Sequence, residues 1–321
     1  MKIKYKMRDI KLFFYLNAIA NLATPLNFYK RKSLKYYKTL TFSQKKDLLK
    51  RVNYYNKLGK FSLHDDAPAL KQHLKLSTGT YYLDLAEYVR VFPLRNRLNV
   101  IFGDVKISPP QPSIVKSRPI EGDNNNSVLL KLNKIRHYKF IEDRRCFEEK
   151  KNMAVWRGAT YKSHRIEFVK KLYNHPLCNV GGYTKKNRHS YWEKEHLSIA
   201  KQLEYKYIFC IEGNDVATNL KWCMSSNSLC LMPKPKFETW FMEGALLPGF
   251  HYVQVRDDYS DVEEKINYFN GHPQEALKII ENANRFVDQF KNKYTEDIIS
   301  FLVLRKYFKR SGQSCQPRCG T

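Results

Sequence analysis

The rhythm of apolar and polar positions changes several times along the chain. Residues 43–57 open with Ser43-Gln44-Lys45-Lys46-Asp47, followed by Leu48-Leu49, which predicts a capped helix. Leu98-Asn99-Val100-Ile101-Phe102-Gly103-Asp104 is a short apolar run ending in Gly-Asp. It predicts a buried strand that delivers a carboxylate at its C-terminal end. Tyr81-Tyr82-Leu83 and Val89-Arg90-Val91-Phe92 mix helix and strand signals. From residue 150 onwards strand and helix patterns alternate. Met153–Gly158, Tyr205–Gly213, Ser228–Met232 and His251–Val255 read as strands, two of them running into turns. Ile166–Tyr173, Leu220–Met224, a segment opening at Asp261 and Pro273–Phe290 read as helices. That alternation predicts an α/β fold with a parallel sheet covered on both faces. Between the two regions, Ser108-Pro109-Pro110-Gln111-Pro112 and Ser117 to Asn126 read as turn-rich loop. So long a loop inside a compact domain implies a function.

Composition narrows the class. The chain has 321 residues, 43% of them hydrophobic, with 22 Tyr and 19 Phe, enough for a sizeable core and for two compact domains or one large one. We place an N-terminal domain at residues 1–148, a C-terminal domain at 149–290, and a helix with a polar tail at 291–321. The seven cysteines are irregularly spaced with no C-x-x-C, which argues against a zinc or thioredoxin-type site and for reduced buried thiols in a cytoplasm. No apolar run reaches about 18 residues, the length a membrane span needs. The basic start, Lys2, Lys4, Lys6 and Arg8, followed by Leu12-Phe13-Phe14-Tyr15-Leu16, is compatible with a signal peptide, a membrane-touching amphipathic segment or a first helix.

Charge changes the picture most. The formal net charge is +26, which implies an anionic partner: nucleic acid, an acidic membrane or a phosphorylated ligand. The excess is uneven, with 16 Lys/Arg against 2 acids in residues 1–60. Lys30-Arg31-Lys32, Lys35 and Lys38 alternate with Tyr29, Tyr36 and Tyr37, a pattern suited to a lipid headgroup layer or to stacked bases.

The candidate chemistry lies where strands give way to helices. P-loop, G-x-G-x-x-G, G-x-S-x-G, H-E-x-x-H and D-x-D motifs are all missing. Without the paired carboxylates that present a metal, a bound nucleotide would rely on basic side chains and helix N-termini. In Trp156-Arg157-Gly158-Ala159-Thr160-Tyr161-Lys162-Ser163-His164-Arg165, Gly158 lets backbone approach closely, while Thr160, Ser163 and Arg165 offer phosphate donors. Glu212-Gly213-Asn214-Asp215 repeats the logic, with Gly213 followed by Thr218, Asn219 and Lys221 entering a helix. Two such loops in one α/β domain would converge at the C-terminal edge of its sheet, as a nucleotide-diphosphate site requires.

These segments also carry a family resemblance. Trp156-Arg157-Gly158 with Arg165, Tyr205-Lys206-Tyr207 running into Glu212-Gly213, the Ser228-Leu229 strand, His251-Tyr252-Val253 and Ser260-Asp261-Val262 occur in an order that resembles glycosyltransferase family 90. Glu212 to Lys221 together with Met232-Pro233-Lys234-Pro235-Lys236-Phe237-Glu238-Thr239-Trp240 resembles its bacterial lipopolysaccharide branch. The resemblance spans about residues 95–290. It implies a GT-B fold, two Rossmann-like domains facing a cleft, and metal-independent, inverting hexose transfer from UDP-glucose or UDP-galactose to a lipopolysaccharide core. It implies no cofactor and no nucleic-acid partner, with a cytoplasmic enzyme held peripherally on the anionic inner membrane. Asp104 matches the family's catalytic Asp, although Gly103 stands where the family has an Arg. Glu238 is the candidate for the ribose hydroxyls, and Lys221 or Arg165 for the diphosphate, because Asn219 replaces an Arg of the eukaryotic members. The alternative from composition alone is a non-enzymatic nucleic-acid-binding protein.

Overall fold

The structure is a computed structural model that describes residues 11–23, 35–74, 79–184 and 190–316. The strands are β1 (Asn99–Ile101), β2 (Ser113–Val115), β3 (Ser117–Pro119), β4 (Ser127–Leu129), β5 (Lys151–Gly158), β6 (Cys178–Gly182), β7 (Tyr205–Phe209), β8 (Leu229–Met232), β9 (Phe237–Thr239) and β10 (Val253–Gln254). The helices used below are α1 (Lys11–Ala23), α2 (Phe42–Tyr55), α3 (Thr80–Val89), α4 (Ser163–Leu172), α5 (Leu220–Cys223), α6 (Val262–Gly271), α7 (Pro273–Asp288) and α8 (Lys293–Arg310). The chain divides into two compact units. One comprises residues 137–236 and 243–289; the other comprises residues 6–136, 237–242 and 290–321. The C-terminal helix α8 therefore belongs with the N-terminal part, as does β9.

In the first unit, β5, β6, β7, β8 and β10 form a parallel sheet in the spatial order β10-β8-β7-β5-β6. This is the alternation expected from residue 150 onwards. All five residues of β7 are buried, because a central parallel strand is covered on both faces and reads as a continuous apolar run. Helix α7 starts with Pro273 at its first turn and buries Ala276, Ile279, Ile280, Ala283 and Val287, the spacing of one helical face. Ala276, Ile279 and Ile280 join Trp156, Phe168, Tyr207, Phe209 and Leu231 in one core. Trp156 meets Phe168 edge-on at 5.2 Å, and Phe168 meets Tyr259 at 4.7 Å.

In the second unit, β1, β2 and β4 form a small parallel sheet with β1 at its edge, and β3 pairs antiparallel with β9. The edge position corrects the expectation of a buried β1: Ile101 and Phe102 are exposed. The turn-rich stretch expected at 108–126 contains β2 and β3, and Tyr81 to Val89 resolves as α3. Thr41 and Gln44 form a reciprocal capping box at the start of α2, placing that helix start close to the expected one. Tyr55 at the end of α2 stacks on Trp240 with centroids 3.9 Å apart.

Buried charge organises this second unit around α8. The Glu296 carboxylate accepts from Trp240 Nε1 and Lys131 Nζ at 2.7 and 2.8 Å and pairs with Arg51 at 2.7 Å. Asp297 accepts from Tyr88 Oη at 3.0 Å and from Lys293 at 2.7 Å. Lys134 pairs with Glu87 at 2.6 Å and with Asp84 at 3.6 Å. Burial lifts the Asp84 carboxyl to about 7, against the pull of Lys134. Burial opposes ionisation of Glu87 too, but Lys134 and Lys293 outweigh it and hold that carboxyl at about 2.

Helix α1 occupies the apolar stretch after the basic start, with Leu16 and Ile19 exposed. Lys2, Lys4, Lys6, Arg8 and the Lys30-Arg31-Lys32 cluster lie outside the described residues, as does Cys319. Among the described residues no helix is long and apolar enough to cross a membrane.

Candidate functional site

In the five-stranded sheet, β5 is flanked by β6 on one side and β7 on the other, so the strand order reverses between β5 and β7. At such a switch point the connections leave in opposite directions, opening a crevice beyond the strands' C-terminal ends. Both loops singled out in the sequence emerge there: Ala159–Lys162 after β5, and Cys210–Asn219 after β7.

Arg165, in the first turn of α4, ties the two strand ends together. Its Nε donates to Glu212 O at 2.8 Å, its Nη2 to Ile211 O at 2.7 Å and its Nη1 to Ala159 O at 3.3 Å. The guanidinium carbon lies 5.5 Å from the centre of the buried Trp156 ring. Those three acceptors are backbone carbonyls, and together they fix the guanidinium at the sheet edge. His164 adds a contact to Glu212 O at 3.0 Å. In the first turn of α4 the N–H groups of Arg165 and Ile166 donate to Lys162 O at 3.1 and 3.0 Å, those of Ser163 and His164 precede them, the turn holds no acid, and Lys162 makes no side-chain cap. A half-buried fixed cation and a positive helix end therefore meet at one sheet edge, the arrangement that holds a phosphate.

The other expected loop residues are placed as follows. Gly158 ends β5, and a Cβ there would run into the Trp156 ring. Thr160 is buried and donates to Glu193 Oε1, while Glu193 Oε2 accepts from Thr184 N at 2.8 Å. Ser163 is exposed as the first residue of α4. Gly213 packs against Arg165, whose Nη2 would lie 3.3 Å from a Cβ at that position. Thr218 and Asn219 are half-buried, and Asn219 Nδ2 donates to Phe209 O at 2.8 Å, closing the loop onto β7. The Glu212 carboxylate accepts from Lys236 N at 3.0 Å.

Two expected charges do not join this edge. Lys221 is fully buried and pairs with Glu243, which sits in the same unit and is equally buried. Lys221 is thus held in a buried ion pair inside the unit, whereas Arg165 lies half-buried at the sheet edge. Glu238 belongs to the second unit, where it pairs with buried Arg118 at 2.7 Å and accepts from Tyr54 Oη. Its carboxylate is thus engaged inside that unit, by Arg118 and Tyr54. Sequence reasoning missed Glu193, Glu243 and Arg118; none sits in a motif, and each is found only through its partner in space.

Asp104 also belongs to the second unit. It follows β1, half-buried, and pairs with the Nζ of buried Lys116, the residue between β2 and β3. Gly103 before it has φ +99°, a conformation that strains any residue with a Cβ. The turn after β1 that carries Asp104 therefore favours glycine at position 103.

Comparison with known proteins adds a second line. The family model described as Glycosyl transferase family 90 matches residues 130–318. O-glucosyltransferase LpsA of Dichelobacter nodosus is 48% identical over 259 residues, covering 80% of this chain and 81% of that protein. Protein O-glucosyltransferase 3 of Homo sapiens is 27% identical over 179 residues, 53% of this chain and 34% of its own length. Protein O-glucosyltransferase 2 of Danio rerio is 28% identical over 147 residues, 44% of this chain and 29% of its own. The extent of the family match and the near full-length bacterial relative agree with the ordered motifs around Arg165 and Glu212, so the chain belongs to glycosyl transferase family 90 and is a glycosyltransferase.

Proposed function

We propose that this enzyme moves glucose from UDP-glucose to a hydroxyl of a lipopolysaccharide core, with inversion at the anomeric carbon and without a metal in the transfer step. The observation that carries the reading is Arg165, held by Ala159, Ile211 and Glu212 carbonyls where the strand order reverses. The donor's diphosphate sits against that guanidinium and the first N–H groups of α4, which stabilise the charge that develops as UDP leaves. Glucose rather than galactose is favoured by the likeness to O-glucosyltransferase LpsA. The GT-B arrangement and the lipopolysaccharide acceptor are parts of the same proposal, supported by the family resemblance.

Asp104 is the proposed general base. It takes the proton from the acceptor hydroxyl as that oxygen attacks the anomeric carbon and the glycosidic bond to UDP breaks. Lys116 positions its carboxylate. General-base assistance is worth about 10²–10⁴ in rate. Asp104→Asn should therefore lose at least about 100-fold in glucosyl transfer while UDP affinity stays within about twofold. The assay is transfer from UDP-glucose to core oligosaccharide, with UDP-galactose in parallel. Retention of most activity by the Asn variant would remove Asp104 from this role.

The basic N-terminal segment is the proposed attachment to an anionic leaflet, where each nearby Lys or Arg contributes about 1 kcal/mol. Removing the first 40 or so residues should release the enzyme from phosphatidylglycerol vesicles at low salt. Unchanged sedimentation with those vesicles would contradict that attachment.

A further inference from the structure

Cys210, Cys223 and Cys230 come from three separate elements of the first unit and meet in its interior. Ile208 and Cys230 are in register on the parallel strands β7 and β8. Side chains two apart on a strand share a face, so Cys210, which continues β7 and donates its N–H to Leu231 O at 2.9 Å, lies on the same face as Cys230. Cys223 ends α5 over that face, with Sγ 4.0 Å from Ile208 O. The three Sγ atoms all lie within 4.8 Å of one another, and all three residues are buried.

Lone buried cysteines behave as small apolar side chains. Cys146, Cys178 and Cys315 belong to no such group among the described residues. A convergent trio differs in kind, because thiolate sulfurs about 2.3 Å from one ion stand about 4.0 Å apart in a trigonal plane. The observed spacing needs shifts of well under about 1 Å for each sulfur to reach that geometry. The buried Lys150 ammonium, paired with Asp143 and also donating to Leu203 O and Ser228, lies close enough to act electrostatically on Cys223, with Asp143 acting in the opposite sense.

We propose that Cys210, Cys223 and Cys230 form a buried three-sulfur site for a thiophilic d10 cation. Metal–sulfur bonds form as S–H bonds break, and the displaced protons leave to solvent. The ion takes no part in sugar transfer. Cys210 and Cys223 bracket the loop carrying Ile211 O and Glu212 O, both acceptors of Arg165, so the ion would pin that loop at each end. Cuprous ion suits three sulfurs, whereas zinc usually closes a structural site with a fourth ligand.

The test titrates the reduced full-length enzyme under anaerobic conditions with Cu⁺ and, separately, Zn²⁺. The readouts are thiolate-to-metal charge transfer, metal X-ray absorption and amide exchange. Expected are one equivalent of bound Cu⁺, three sulfur neighbours near about 2.3 Å, slower exchange in residues 211–222, and weaker retention of Zn²⁺. Cys230→Ala and Cys223→Ala should each weaken binding more than about 100-fold, beyond the 10–100-fold typical of losing a partner of a ligand. Removing the other thiols with Cys146→Ser and Cys315→Ser should leave it unchanged. Absorption spectra with fewer than three sulfurs would overturn the proposal even if an alanine variant fails to fold. So would unchanged binding in folded variants, or failure of the reduced enzyme to take up either ion.

Discussion

Two arginines show how differently the two units use positive charge. Arg118 of the second unit is fully buried, with Glu238 on its Nε and the carbonyls of Tyr54, Tyr55 and Ser127 on its other nitrogens. Arg165 of the first unit is half-buried, and its three hydrogen bonds at the sheet edge go to neutral carbonyls. The carboxylate partner ties Arg118 into the interior of its unit, whereas the carbonyl partners of Arg165 hold its guanidinium at a sheet edge. Glu296, flanked by Arg51 and Lys131, extends the first pattern, as does Lys221, buried and paired with Glu243.

If that contrast holds, breaking the buried pairs should unfold the protein without touching the chemistry directly. Glu296→Ala leaves Arg51 and Lys131 buried without their carboxylate and should cost about 3–5 kcal/mol in chemical denaturation. A loss below about 1 kcal/mol would show the network to be replaceable.

A smaller effect sharpens the same side of the comparison. Burial raises the Asp84 carboxyl to about 7, above its ordinary value of 3.8. The folded state then binds a proton that the unfolded chain has released. This stabilising contribution is complete below about pH 4 and is lost as pH rises through 7. Asp84→Asn keeps an acceptor for Lys134 N–H and should flatten the fall in denaturation midpoint between pH 4 and 7. An unchanged slope would place the titration elsewhere.

What the sequence disclosed follows from the range of the forces. β5, β7 and β8 were legible because their centres are apolar and largely buried, as in Met153 to Trp156, Tyr207 to Phe209 and Leu229 to Met232, and the strand–glycine–helix grammar around Gly158 and Arg165 is local. β6 was not, since Cys178-Asn179-Val180-Gly181-Gly182 ends in two glycines; a Cβ at Gly182 would collide with Glu193 and Thr160. β2 and β3 were hidden among prolines, and β3 pairs with β9, far along the chain. Ion partners were the least legible: Lys116 for Asp104, Glu243 for Lys221 and Arg118 for Glu238 depend on tertiary pairing that no local pattern announces. The three-thiol group was invisible for the same reason, because the irregular cysteine spacing conceals a shared sheet face.

In the proposed function, Arg165 at the β5–β7 switch point binds the donor's diphosphate. Isothermal titration of UDP into the wild type and Arg165→Met, with thermal unfolding measured on both, addresses this role. UDP should bind about 100-fold more weakly to the variant, as expected for losing a hydrogen-bonded charge on a phosphate, with the second unit's stability unaltered. Equal UDP affinity in a folded Arg165→Met enzyme would remove Arg165 from this role.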